Sequence, residues 1–163
     1  MRRIVVVAFT FASLASLASL AAPLAAQSRP DFSGKWIMDL KTSTGDMLPQ
    51  SATLLLTQTA TTLTFDNTIN SQMGEQKTKT TVNLDTMPAK NTVAVPGMSL
   101  DLTETTGWEG STLVVTTRAD IQGQPLEQID RLTLDADGKV LRIKRNFSFG
   151  PQSGSAMMVL NKP

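Results

Sequence analysis

Three side chains in this sequence have chemistry to offer from positions that simple counting brings together: Glu104, Asp130 and Arg145. The count starts in the stretch Leu126 to Phe149, where two runs of period-two alternation, LEQIDRLTL and VLRIKRNFSF, flank Asp135-Ala136-Asp137-Gly138-Lys139. Asp-Gly between alternating runs signals a tight β-hairpin, because glycine accepts the positive φ that such turns require. With Asp137-Gly138 as the loop, Leu134 faces Leu141, Leu132 faces Ile143, Asp130 faces Arg145, Gln128 faces Phe147 and Leu126 faces Phe149. All share one face. An apolar sheet face therefore carries a carboxylate opposite a guanidinium, either as a structural ion pair or as part of a binding site.

Counting back through two earlier turns extends the row. Gln122-Gly123 places Val115 opposite Asp130 and Leu113 opposite Leu132, with Arg118 and Glu127 meeting outside. A turn at Glu109-Gly110 then sets Val115 against Glu104, Leu113 against Thr106, Thr117 against Leu102 and Asp101 against Arg118. The expected row is Glu104, Val115, Asp130 and Arg145, with Thr117 and Gln128 in the neighbouring one. A one-residue slip in any turn would invert a strand, whereas a two-residue slip would keep every face. One guanidinium neutralises one carboxylate, so a carboxylate is left over. Such a row could fix the polar head of an amphipathic ligand, with Trp108, Met98, Leu113, Ile143 and Phe147 around its apolar part. It could equally be Arg145 neutralising Asp130, or covering Trp36, inside a filled core. Paired carboxylates also suit acid–base chemistry, with Glu104 as the acid, but nothing specifies a substrate and no enzyme is expected.

Absences narrow the chemistry. The sequence has no histidine and no cysteine, which excludes a Ser-His-Asp triad, a thiolate nucleophile, a disulfide framework and the usual zinc or haem ligand sets. Its methionines show no M-x-M or M-x-x-M clustering and read as core filling. Asp135-Ala136-Asp137-Gly138 begins like a calcium loop but lacks the remaining ligands, so turn chemistry explains it. No cofactor and no metal are expected.

The first 26 residues have a basic start at Arg2 and Arg3, an uncharged apolar run and small residues up to Ala26, the layout of a secretory signal peptide. Cleavage after Ala26 would leave residues 27–163 as a single exported domain, periplasmic or extracellular, with no membrane span. Lys+Arg would fall from 15 to 13 against 14 Asp+Glu, turning the net charge from +1 to −1. That balance gives no electrostatic case for nucleic acid.

The elements that must hold the row are strands throughout. Alternation is clean from Met98 to Trp108, from Ser111 to Ala119 and in the hairpin already described. Ala52–Gln58 and Thr61–Thr68 form a hairpin about Thr59-Ala60, with Leu54 opposite Phe65 and Leu56 opposite Leu63. KTKTTVNL turns Lys77 and Lys79 outward and Thr78, Thr80, Val82 and Leu84 inward. Lys41–Gln50 reads as a loop, Asp85–Pro96 as a looser segment with a short strand through Val93 and Val95, and GSAMMVLN as a last strand of unresolved facing. Threonine abundance suits strands. An antiparallel up-and-down meander of about eight to ten strands, closing into a barrel, is expected; a β-sandwich is the alternative.

Asp31-Phe32-Ser33-Gly34-Lys35-Trp36 opens the first strand. Gly34-Lys35-Trp36 resembles the G-x-W signature of the lipocalins, and the six residues together look like the opening of a group of secreted bacterial lipocalin-like proteins. The resemblance implies a barrel with Trp36 plugging its closed end and an arginine near the last strand lying across the ring, for which Arg145 is the candidate by chain order. It also implies a small hydrophobic ligand inside. The T-D-Y element of lipocalins is absent, since the chain has no tyrosine. The expected function is binding of a small apolar or amphipathic ligand within the barrel; the alternative is a non-catalytic envelope or interaction module with a filled core.

Overall fold

The computed structural model describes residues 29–72 and 74–163. The signal peptide expected over residues 1–26 lies outside the described residues. Among those described, no helix is long and apolar enough to cross a membrane.

Among the described residues eleven strands follow in chain order: β1 (Gly34–Met38), β2 (Thr44–Gly45), β3 (Ser51–Gln58), β4 (Thr62–Ser71), β5 (Gly74–Asn83) and β6 (Ala89–Val95), then β7 (Met98–Glu109), β8 (Thr112–Ile121), β9 (Gln124–Leu134), β10 (Val140–Phe149) and β11 (Gln152–Asn161). All belong to one antiparallel sheet in the order β5-β4-β3-β1-β11-β10-β9-β8-β7-β6, with β2 added beside β11. The short β1 pairs with β3 on one side and with the final strand on the other, joining the two ends of the chain. The outermost strands, β5 and β6, lie side by side. The sheet thus curls almost into a closed barrel, as the meander reading expects, and does not split into a sandwich.

What bridges β5 and β6 is a side chain. Asn91 on β6 accepts from the Thr81 backbone N–H through Oδ1 and donates to the Thr81 carbonyl through Nδ2, each at 3.0 Å. Its amide copies the donor–acceptor pair of a neighbouring peptide, satisfying backbone groups that an open edge would leave to water. Thr106 on β7 adds a bond to the Asn83 carbonyl.

The β9–β10 register is the one counted from Asp-Gly, with Asp130 opposite Arg145 and Gln128 opposite Phe147. The loop is wider than two residues: Asp135 N–H donates to the Val140 carbonyl, Gly138 stands at φ 67°, and Asp135 Oδ1 accepts from the backbone of both Lys139 and Val140. The β8–β9 register also agrees, turning at Gln122-Gly123 with both φ values positive.

Two other registers differ from expectation by two residues. The β7–β8 turn is Gly110-Ser111, so Glu104 faces Thr117, Thr106 faces Val115 and Thr103 faces Arg118. In β3–β4 the turn is Ala60-Thr61, Leu56 faces Phe65, and Leu54 faces Asn67. The cause at β3–β4 is Thr59, whose backbone and hydroxyl both bond to Thr62 and close the turn one residue later. Each slip preserves the faces, yet the expected straight row is staggered: Glu104 lies with Thr117 and Gln128, while Asp130 and Arg145 lie with Val115 and Thr106.

Register also sorts the barrel into two ends. At one, Trp36, Leu56, Leu63, Val82, Leu113, Leu132, Leu141 and Leu160 are sealed from solvent, and the segment before β1 closes the end. Phe32 stacks on Trp108 with ring centroids 6.2 Å apart, Arg29 lies over Trp108 at 5.0 Å, and Gln58 bonds to Pro30 and Phe32. Met158 and Leu160 face this core from β11. Val159, on the outer face, is also buried, at 5% exposure. The Lys41–Gly45 segment crosses it, with Asp39 N–H donating to the Val159 carbonyl and Ser43 Oγ accepting from Val159 N–H.

Candidate functional site

At the other end the barrel is not filled. A cavity of about 310 Å³ lies between the β3–β5 wall and the β7–β11 wall. Leu54, Phe65, Ile69, Val115, Leu132 and Ile143 supply apolar surface, and Glu104, Thr117, Gln128, Asp130 and Arg145 line it as well. Of the side chains expected from the sequence to meet a ligand, Glu104, Thr117, Gln128, Asp130, Ile143 and Arg145 line this one space. Its volume falls at the small end of the range for small-molecule sites.

Asp130 and Arg145 form a two-pronged pair: Nε donates to Oδ1 at 2.8 Å and Nη2 to Oδ2 at 2.7 Å. Gln128 Nε2 donates to Oδ2 at 2.9 Å, so both carboxylate oxygens are engaged. The planar guanidinium matches a carboxylate in this fork-to-fork geometry. Burial works against the charge on Arg145, but Asp130 outweighs it and holds the guanidinium pKa above its ordinary value.

Glu104 is only 5% exposed. Thr117 Oγ1 donates to Oε1 at 3.1 Å and Asn91 Nδ2 to Oε2 at 2.7 Å. Both donors are neutral. Burial pushes the carboxyl above the ordinary carboxylate range, the two hydrogen bonds pull it partly back, and the charge of Asp130 adds to the rise. The polar layer made by Glu104, Thr106 and Thr117 separates the main core from a smaller apolar cluster of Val93, Leu100 and Leu102.

Trp108 is brought elsewhere. It belongs to the closed end, against Phe32 and Arg29, and does not line the cavity. Met98 and Leu113 are also outside the lining, while Phe147 borders a second, smaller space of about 210 Å³. Arg145, Gln128, Met158 and the Met47-Leu48-Pro49 segment border both spaces. Met47 is 83% exposed at φ 55°, so this segment forms a lip over the open end. The sequence had offered it only as loop.

Trp36 is fully buried at the closed end, and its indole N–H donates to the Phe32 carbonyl at 2.9 Å. The cation across its ring is not Arg145, which is committed to Asp130 on the cavity wall. Lys162, just beyond β11, holds that position with Nζ 4.7 Å from the ring centroid. Gly34 stands at φ 135°, and a Cβ there would come within 3.1 Å of the Lys162 stem. The glycine of the motif thus meets both a backbone and a packing requirement.

Asn67, Gln76 and Thr80 on the β4–β5 wall line the cavity and were not singled out from the sequence. Among the described residues, Asn67 Oδ1 is buried without a hydrogen-bond partner. Inward alternation marks Thr80, and it marks Asn67 as well, since Asn67 shares the face of Leu63 and Phe65 in either register; the structure changes only its partner, to Leu54.

No protein-family model matches the chain, and no curated protein matches it. Among solved structures it is similar to secretory abundant heat soluble protein 4 from Ramazzottius varieornatus, at 16% identity and a TM-score of 0.47, over 81% of this chain and 94% of that one. A likeness of that degree assigns no function.

Proposed function

We propose that this protein is an exported, lipocalin-like binding protein that takes a small amphipathic molecule into the open end of its barrel. The observation that carries this is the cavity of about 310 Å³ that joins apolar walls to the Glu104, Asp130 and Arg145 cluster. Side chains that only filled a core would close such a space, since protein interiors pack to crystal-like density. The lipocalin likeness draws support from Trp36 at the closed end with a cation over its ring. Export rests on the basic, apolar and small-residue layout of residues 1–26.

Binding without turnover fits the cluster better than catalysis. The paired-carboxylate chemistry of glycoside hydrolysis needs two carboxyl groups free to act on the substrate. Both oxygens of Asp130 are held by Arg145 and Gln128, and both oxygens of Glu104 by Thr117 and Asn91, so neither is free to act as such a pair.

Native mass spectrometry of the protein purified from its own cells tests this, followed by solvent extraction and identification of what is released. The expected result is a small organic adduct released on denaturation, on a chain beginning at Gln27. Bare protein, together with no thermal shift from any member of an amphiphile panel, would overturn the binding reading.

A further inference from the structure

The charges on the cavity wall do not balance, and the imbalance names a ligand class. Glu104, Asp130 and Arg145 are the only charged side chains lining the space among the described residues. Asp130 and Arg145 satisfy each other through two short hydrogen bonds, and Gln128 completes the carboxylate. Glu104 has no such counter-charge: its donors are a hydroxyl and an amide. A buried carboxylate held only by neutral donors lacks the ionic partner that would offset its lost hydration.

Resting on the binding reading above, we infer that the ligand is a small amphipathic amine, whose ammonium group supplies the counter-charge to Glu104 while its apolar body lies along Val115, Leu132 and Ile143. The other head-group classes fit less well. An anionic head could reach Arg145, but that guanidinium is already neutralised by Asp130, and the incoming charge would also face Glu104. A neutral head would leave Glu104 as it is. An ammonium offers three donors and no acceptor, which suits a wall that holds a carboxylate without counter-charge and, among the described residues, an Asn67 Oδ1 without a partner. The raised pKa of Glu104, set first by burial and increased by Asp130, reflects the same missing cation. Amine binding is therefore coupled to ionisation of Glu104.

Calorimetric titration of the purified protein with octylamine, octanol and octanoate at neutral pH separates head-group charge from chain length. Octylamine is expected to bind at least about tenfold more tightly than octanol, equivalent to about 1.4 kcal/mol, with octanoate weakest. Glu104→Gln should bring octylamine to within about twofold of octanol and leave octanol itself little changed, a difference under about 0.5 kcal/mol. Octanol or octanoate binding as tightly as octylamine would overturn the amine assignment while leaving ligand binding intact, and this comparison needs no variant. An amine preference that survives in a folded Glu104→Gln protein would also overturn it. Failure of all three to bind would overturn this inference, and bare protein by native mass spectrometry beside it would overturn the binding reading as well.

Discussion

Asn91 holds Glu104 with the same amide nitrogen that holds the far edge of the sheet: Nδ2 lies 2.7 Å from Glu104 Oε2 and 3.0 Å from the Thr81 carbonyl. The carboxylate fixes which way the amide is turned, leaving Oδ1 to accept from Thr81 N–H. Cavity chemistry and barrel closure are therefore mechanically linked. The group that gives the cavity its surplus charge also orients the clasp between β5 and β6.

Removing the clasp should loosen that seam. Asn91→Ala leaves the Thr81 N–H and carbonyl without their partner and takes a donor from a buried carboxylate, for an expected loss of about 1–3 kcal/mol of stability. Hydrogen exchange should accelerate at the Thr81 amide while the β9–β10 amides stay protected. Uniform protection across β5 and β6 in the variant would show that the clasp is not what closes the barrel.

Glu104 should also leave a signature in stability against pH. A carboxyl that binds its proton more tightly in the folded chain contributes stability that is fully present below its unfolded pKa of about 4.3. That contribution is lost as pH rises to the raised folded value, and is constant above it. Asp31 works in the opposite sense. Hydrogen bonds from Ser33 hold its carboxyl below the ordinary value, so its contribution is present above the unfolded pKa and disappears as pH falls through the lowered one. Subtracting the unfolding free energy of Glu104→Gln from that of the wild type isolates the Glu104 part. The difference should fall from mildly acidic towards neutral pH; a flat difference would contradict the electrostatic account.

The ion pair on the cavity wall should be costly to break from one side. Arg145→Met leaves Asp130 partly buried without its cation and should cost about 1–3 kcal/mol, between the values for exposed and fully buried pairs. Adding Asp130→Leu should recover much of that loss, because the stranded charge is gone. Urea unfolding of the two single variants and the double variant completes the cycle, and strict additivity would mean that the pair is not coupled.

These features were unequally legible in the sequence. Asp137-Gly138 pinned the facing of Asp130 and Arg145 because a glycine at positive φ restricts where the chain can reverse. Around Glu109-Gly110-Ser111 the alternation sets only parity, and the glycine served as the first turn residue instead of the second, which moved Glu104 from Val115 to Thr117. Glu104, Thr117, Gln128, Asp130 and Arg145 kept their inward face and line the cavity, yet Trp108 lies so near the closed end that Phe32 and Arg29 cover it. Lys162 was invisible as the partner of Trp36 because it lies beyond the last alternating run, where facing cannot be counted. The Met47 lip depends on how Lys41–Gly45 crosses Val159, a contact between segments far apart in the chain.

The closed end gives a contrast between two substitutions around Trp36. Lys162→Ala should cost only about 0.5–1 kcal/mol, the usual worth of a cation over an aromatic ring at an exposed site. Gly34→Ala should cost more, about 1–3 kcal/mol, because it combines a positive φ with displacement of the lysine stem. Combining the two should recover the steric part and leave the backbone part. If the costs of the two single substitutions simply add in the double variant, the stem is not what opposes the new methyl group.

Filling the cavity should separate stability from binding. Ala52 on β3 lines the space beside Leu54 and pairs with Ile69 across the ladder. Ala52→Leu places three more carbon atoms into space that no side chain occupies, at a position 5% exposed. Cavity-filling changes of this kind commonly add about 0.5–2 kcal/mol, whereas inserting the same atoms into a filled core costs about 1–3 kcal/mol. The direction of the shift in unfolding midpoint therefore reports directly on whether the space is real. Octylamine affinity should fall at least about tenfold in the same variant, about 1.4 kcal/mol of lost binding, because the added side chain takes the volume of the ligand body. Glu104 and Arg145 keep their partners, so a loss of affinity at unchanged or higher stability assigns binding to the cavity. A stabilised variant that binds octylamine as before would place the bound molecule elsewhere on the protein.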